Sequence, residues 1–103
     1  MNYQDMIDKL KMSQRAAAAF LKIDERTSRR YAADELPLPP SIRYLLSLMI
    51  KKRISPEEAR KTADKHFFQE LPPTIPYLLA LMIKHRITPD EVRKIAARLD
   101  LNE

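Results

Sequence analysis

The chain contains no glycine and eight prolines among its 103 residues. Glycine most readily adopts the backbone conformations of tight hairpin turns, phosphate-binding loops and dinucleotide-binding turns, so those structures are disfavoured. No segment alternates apolar and polar residues with the two-residue period of a half-buried strand. Good helix formers, chiefly alanine, leucine, lysine, arginine and glutamate, are plentiful. These features predict an all-helical protein whose helices are separated by prolyl turns.

Length and composition limit the chain to about one small domain. Hydrophobic residues make up 45% and charged residues 32%, a balance that permits a buried core. The chain has no cysteine, which excludes disulfides, thiolate nucleophiles and sulfur-ligated zinc. His66 and His85 have no second histidine or carboxylate pair at metal-ligand spacing, and we interpret both as ordinary helix positions. We therefore expect no metal, no cofactor and no enzymatic activity.

Two features bear on location. The longest apolar run, residues 75–83, is much shorter than the roughly 20 residues that cross a bilayer. The first residues, MNYQDMIDKLKM, lack the basic start and unbroken apolar run of a secretory signal. We expect a cytoplasmic protein that does not bind membranes.

Helix starts are marked by residues whose side-chain oxygens can accept the first free backbone N–H groups, namely Ser13, Asp24, Ser55 and Thr88. After the last two, a proline occupies the first helical position and a glutamate stands three residues from the cap, as in a capping box. Seven helices are predicted, over residues 3–11, 14–21, 25–33, 42–52, 56–66, 75–85 and 89–99.

An internal repeat occupies the second half of the chain. A shift of 33 residues aligns residues 41–61 with residues 74–94, and 14 of the 21 pairs are identical. The repeated unit is a helical hairpin whose first helix is apolar nearly all round and must be covered on more than one side. Two copies are fewer than a helical solenoid usually needs, so we predict a duplicated hairpin whose second copy packs on the first or on its counterpart in another chain.

Positive charge is concentrated in the first copy of the hairpin. Net charge is +1 for residues 1–36, +4 for residues 37–69 and 0 for residues 70–103. A basic field is expected from Lys51, Lys52, Arg53, Arg60, Lys61 and Lys65. Such residues can equally be solvated helix faces, so the charge alone does not decide the function.

The stretch SQRAAAAFLKIDERTSRRY, residues 13–31, resembles the helix-turn-helix of the Cro/repressor (XRE-like) family of DNA-binding transcriptional regulators. It is most similar to regulators with the pattern SQ-x-x-A-A-x-x-L-G-V-D-x-R-T-V-R-R-W. The matching residues are Ser13, Gln14, Ala17, Ala18, Leu21, Ile23, Asp24, Arg26, Thr27, Arg29, Arg30 and Tyr31. The resemblance covers about residues 3–65 and excludes the second hairpin. It implies a DNA-binding domain over residues 1–66, followed by a packing or dimerisation element over residues 67–103.

The residue types support this interpretation physically. Ala17 and Ala18 are small enough for the next helix to cross closely, while Leu21, Ile23 and Tyr31 fill the space between the two helices. An N-cap at Asp24 would leave the base-reading candidates exposed on the helix from Glu25 to Ala33, where arginine can bind guanine O6 and N7 in the major groove. These candidates are Glu25, Arg26, Arg29 and Arg30.

The start of the preceding helix is, by family analogy, a phosphate clamp. The candidate phosphate contacts are Ser13, Gln14, Arg15, Thr27, Arg43, Lys51 and Lys52. Because one small module makes few base contacts, we expect a homodimer on double-stranded DNA. The candidate dimerisation residues are Tyr77, Leu78, Leu79, Leu81 and Met82.

Two positions depart from the family pattern. Lys22 replaces the usual glycine of the turn, and a non-glycine residue there costs about 1 kcal/mol, so a local change in the turn is expected. Ser28 replaces an apolar residue, which predicts looser seating of the recognition helix.

The main hypothesis is a sequence-specific DNA-binding regulator, expected to be a repressor, with no small-molecule effector evident. The alternative is a protein-binding adaptor or antitoxin-like module that uses the apolar hairpin.

Overall fold

The structure, a computed structural model, describes residues 2–66 and 74–101, and all its regular elements in those ranges are α-helices. They are α1 (Tyr3–Lys9), α2 (Gln14–Leu21), α3 (Glu25–Ala32), α4 (Pro40–Lys52), α5 (Pro56–His66), α6 (Thr74–His85) and α7 (Pro89–Leu101). The predicted all-helical architecture is confirmed, and each predicted boundary lies within two residues of the observed one. Within the described ranges, no helix has the length and apolarity needed to span a bilayer.

Three of the four predicted caps form through their side chains. The hydroxyls of Ser13, Ser55 and Thr88 each accept a hydrogen bond from the backbone N–H three residues later, at 3.0, 3.1 and 3.2 Å. Asp24 takes the extended backbone conformation of an N-cap, but its side chain makes no capping hydrogen bond. The predicted position of this helix start is therefore right, whereas the predicted role of the Asp24 carboxylate is wrong.

Helix ends depend on left-handed residues that are not glycine. At each such residue its own N–H bonds three residues back, while the next residue's N–H bonds five residues back, which is the Schellman motif. The left-handed residues are Lys11, Lys22, Asp34, Arg53 and Arg86, with φ between 53° and 59°. The residue after four of them is apolar, and it is buried in three cases and half-buried at Ile23.

The turn at Lys22 is therefore of the ordinary left-handed kind, with φ 53° and ψ 47°. The expectation of a locally altered turn was wrong. Two hydrogen bonds, from the Lys22 N–H to Ala19 and from the Ile23 N–H to Ala18, accompany packing of Ile23 against the core. These interactions offset the conformational cost of placing lysine where glycine is usual.

The second copy of the repeat packs on the first within the same chain. The predicted hairpin is open, because the two helices of each copy make few contacts with each other. Helix α4 contacts α7, and α6 contacts α5, while the two repeated apolar helices α4 and α6 also touch each other. The α4–α7 contact and the α6–α5 contact are equivalent, because α6 is the repeat copy of α4 and α7 is the repeat copy of α5. The arrangement is that of a two-fold, self-complementary interface, here formed inside one polypeptide.

Helix α4 joins the hairpins to the N-terminal three-helix unit. One side of α4 packs on α1, which contributes the buried Tyr3, Met6 and Ile7 to a continuous core. A second link comes from α2, where the Phe20 ring stacks on Tyr77 of α6 with centroids 4.9 Å apart. The first three helices are thus seated on both copies of the repeat.

Ser47 allows a test of stability for which the equivalent position of the second repeat copy is the control. Its hydroxyl is fully buried in α4 and has no hydrogen-bond partner among the described residues, whereas the equivalent residue in α6 is the buried Ala80. We expect Ser47→Ala to raise the free energy of unfolding by about 1 kcal/mol, because an unpaired buried hydroxyl is removed. Ala80→Ser should lower it, and urea denaturation of both variants measures the two changes. Destabilisation by Ser47→Ala would contradict the packing described here.

Candidate nucleic-acid interface

Helices α2 and α3 pack directly against each other through the residues predicted for this contact. Ala17, Ala18 and Leu21 are all buried, with no more than 2% of their surface exposed. Ile23 and Tyr31 are half-buried and pack against the same core. This contact leaves the outer side of α3 uncovered.

Ser28 anchors α3 through hydrogen bonds instead of through an apolar contact. Its side chain is completely buried and donates to the backbone carbonyl of Gln14, at 2.9 Å. Because the single hydroxyl proton is used in that bond, the Tyr3 hydroxyl, 2.8 Å away, donates to Ser28 Oγ. The expectation of looser seating was wrong, since this network ties α3 to α1 and to the first residue of α2.

Tyr3 completes the network and was not among the residues predicted for the site. Its ring meets Tyr31 edge to face, with centroids 5.5 Å apart. Burial raises the pKa of Tyr3, with a smaller contribution from Tyr31, while the hydrogen bond with Ser28 opposes the rise. Tyr3 is therefore protonated at neutral pH and able to donate. Its 25-residue separation from Ser28 has no local sequence signal.

Glu25 lies between two arginines on the uncovered surface. Its carboxylate oxygens are 3.2 Å from Arg15 Nε and 4.0 Å from Arg29 Nη1. At the other end of α3, Arg30 Nε is 3.6 Å from the Glu35 carboxylate. The arginine side chains in these pairs are 43% to 85% exposed, so each ion pair is weak and easily exchanged for another partner.

The structure brings most of the predicted DNA-contacting residues onto one surface. Two shallow depressions share Arg29, and both are open to solvent. The first is lined by Ser13, Gln14, Arg15, Glu25 and Arg29. The second is lined by Arg26, Arg29, Arg30, Ala33 and Glu35. The two depressions therefore bring all four base-reading candidates together with three phosphate candidates, Ser13, Gln14 and Arg15. We call these lining residues the α3 surface.

The other phosphate candidates are placed differently. Thr27 is half-buried on α3. Arg43 lines a separate depression with Tyr31 and Glu35, beside the linker before α4. Lys51 and Lys52 are exposed in the last turn of α4. None of these four lines the two depressions of the α3 surface.

The predicted set of dimerisation residues is largely wrong. Tyr77, Leu78 and Leu81 are buried in the chain's own core, because α6 turns that side towards α5 and α4 and because Tyr77 stacks under Phe20. Met82 is half-buried. Of the five predicted residues, Leu79 is exposed, at 40%.

Exposed apolar residues on α6 instead form a stripe with four-residue spacing, which places them on one helix face. We call Ile75, Leu79 and Ile83 the α6 stripe. Sequence periodicity could not separate this face from the buried one, because α6 is apolar on nearly all sides.

The described residues include no group of three or more histidine, aspartate or glutamate side chains that could hold a metal ion.

The buried hydroxyl network predicts that removing the Ser28 hydroxyl lowers the stability of the fold. We expect Ser28→Ala to lower the free energy of unfolding by about 1 to 3 kcal/mol, because the Gln14 carbonyl and the Tyr3 hydroxyl lose their partner. Ser41→Ala, at a half-buried serine in the first turn of α4, is a control for the loss of a serine hydroxyl. Thermal or urea unfolding measures both changes, and equal stability of Ser28→Ala and the parent chain would contradict the network.

Comparisons with protein-family models, with curated proteins and with solved structures give no match for this chain.

Proposed function

We propose that the chain is a sequence-specific DNA-binding transcriptional regulator, acting as a repressor, that reads the major groove with α3. The observation that carries the proposal is a short helix that is anchored on one side by buried contacts and carries exposed arginines on the other. Ser28 is buried on the anchored side, whereas Arg26 and Arg29 are exposed. The similarity of residues 13–31 to the Cro/repressor pattern supports the same function.

In this mechanism the arginines exchange carboxylate partners for DNA. Arg29 and Arg30 leave Glu25 and Glu35 to bind guanine edges or phosphates, at little cost because both ion pairs are exposed. Glu25 is then free to accept a hydrogen bond from the cytosine N4 amino group. A phosphate binds near the start of α2, where Ser13 and Arg15 adjoin the base-reading residues.

The regulator acts as a homodimer whose interface includes the α6 stripe of each copy. The equivalent residues of the first repeat are Ile42, Leu46 and Ile50, and all three belong to or pack on the core. In the second repeat Ile75, Leu79 and Ile83 are exposed instead. They leave an apolar face that a second molecule of this chain can cover. A symmetric operator would require the two α3 helices of the dimer to lie about 34 Å apart.

An adaptor or antitoxin-like role is the second candidate function, and the α6 stripe is again the observation that favours it. In that case the stripe binds an amphipathic helix of another protein instead of a second copy. The oligomeric state distinguishes the two, because an adaptor of this kind need not dimerise.

DNA recognition is tested by removing the arginines of α3. We expect Arg29→Ala to weaken binding to a duplex selected from a random pool by about 1 to 3 kcal/mol if Arg29 reads a base, with a smaller loss on unrelated duplexes. Equal loss on all sequences would instead identify a phosphate contact. Arg93→Ala, at an exposed arginine of α7, is the matched control and should bind normally. Failure of gel-shift selection to enrich any sequence would contradict the proposed function.

Dimerisation is tested at the centre of the α6 stripe. We expect Leu79→Asp to produce a monomer, because a charge would be buried in the interface, whereas Ala97→Asp on the exposed side of α7 should leave the dimer intact. Sedimentation equilibrium measures the mass, and circular dichroism checks that both variants fold. A monomeric parent chain, both alone and on selected DNA, would contradict the dimer.

A further inference from the structure

A basic depression lies between the ends of α1 and α4, outside the α3 surface. Its rim carries Lys9, Lys11 and Arg53, and its floor includes Leu10, Met49 and Ile50. Met49 is fully buried, and the other two floor residues are half-buried and pack against the core. The depression therefore combines three long cationic side chains with an apolar base. We call it the α1/α4 depression.

No acidic side chain pairs with the cations of this depression among the described residues. No carboxylate lines it, and no described ion pair involves Lys9, Lys11 or Arg53. The α3 surface differs, because there Glu25 and Glu35 pair with Arg15, Arg29 and Arg30. A surface of unpaired cations attracts anions without reading sequence, whereas paired arginines release their partners only where a better one is available.

The depression is close to the start of α2. Lys11 precedes Ser13 by two residues, which places their Cα atoms no more than about 7 Å apart. Ser13 in turn lines a depression of the α3 surface together with Arg15 and Arg29. At the far rim, Arg53 directly follows the exposed Lys51 and Lys52. A band of positive charge thus runs from α3, past the start of α2, to the end of α4.

We propose that the α1/α4 depression binds the sugar–phosphate backbone of DNA next to the segment read by α3. This inference rests on the proposed function, since it extends the same DNA-bound surface. Phosphate oxygens accept hydrogen bonds from Lys9, Lys11 and Arg53, while a deoxyribose lies against the floor formed by Leu10 and Ile50. The contacts add affinity and salt dependence but no sequence preference, because every nucleotide presents the same backbone.

The same three cations also lie near the carboxyl ends of α1 and α4, where positive charge stabilises a helix. That structural role predicts lower stability and unchanged DNA binding when the charges are removed. The proposal predicts changed DNA binding, so the two are separated by measuring both properties on the same variants.

The repeat supplies a matched control for the experiment. Arg86 is the repeat equivalent of Arg53, and both are left-handed residues after a helix end, with φ of 53° and 55°. Lys84, like Lys9, lies in the last turn of its helix. The test variant changes Lys9, Lys11 and Arg53 to glutamine, and the control variant changes Lys84, Arg86 and Lys94 to glutamine.

Binding is measured by fluorescence anisotropy over a range of NaCl concentrations, on a duplex selected by the parent chain and on a 20-base-pair duplex of unrelated sequence. In the test variant we expect the slope of log K against log[NaCl] to become about 2 to 3 units less negative on both duplexes. The ratio of the two affinities should remain that of the parent chain. The control variant should keep the parent slope.

A charge-conserving variant, with Lys9→Arg, Lys11→Arg and Arg53→Lys, should also keep the slope. Where the triple glutamine variant folds poorly, the single variants Lys9→Gln, Lys11→Gln and Arg53→Gln replace it, and each should make the slope about 1 unit less negative. An unchanged slope in a folded test variant that still selects its sequence overturns the inference and leaves the proposed function intact. The inference is also overturned if the glutamine variant loses binding to poly-glutamate but not to DNA, since the depression would then be a site for an acidic protein. Absence of sequence preference in the parent chain, with the slope change retained, overturns the proposed function alone. Absence of binding to any duplex overturns both.

Discussion

The middle of helix α4 must be covered on all sides, and the rest of the structure depends on how this is achieved. Its residues Leu45, Leu46, Leu48 and Met49 have no exposed surface, so no single neighbouring helix could bury them. The N-terminal unit covers one side through α1, and the second hairpin covers the other through α6 and α7. The position of the α3 surface is therefore coupled, through α4, to a repeat that carries none of its residues.

Local chemistry explains why so much of the fold could be predicted from sequence. Caps at Ser13, Ser55 and Thr88 act through bonds that span three residues, and prolines stop helices within the same short range. The packing of α2 on α3 was predictable because Ala17, Ala18 and Leu21 have characteristic spacing. Where the second hairpin packs was left open, since a self-complementary surface can be satisfied by its own copy or by another chain.

The errors at the site come from interactions that the sequence does not display. The prediction that Ser28 loosens the seating of α3 was wrong because its partners, Tyr3 and the Gln14 carbonyl, are distant along the chain. Tyr77 and Leu81 were predicted to bind a partner because apolarity alone does not distinguish a core face from an exposed one. The arginines of α3 were correctly placed on one surface, but their pairing with Glu25 and Glu35 depends on side-chain geometry.

The glycine-free ends of α1, α2, α4 and α6 couple the length of these helices to tertiary structure. A glycine stop acts through the backbone alone, whereas stops such as Lys22-Ile23, Arg53-Ile54 and Arg86-Ile87 gain from an apolar residue that needs a core to enter. In an unfolded or partly folded chain that anchor is missing, so the helices would fray or run past their native ends. Copying the hairpin also copied its Arg-Ile terminator, so α4 and α6 end at equivalent residues and remain in register across their shared interface.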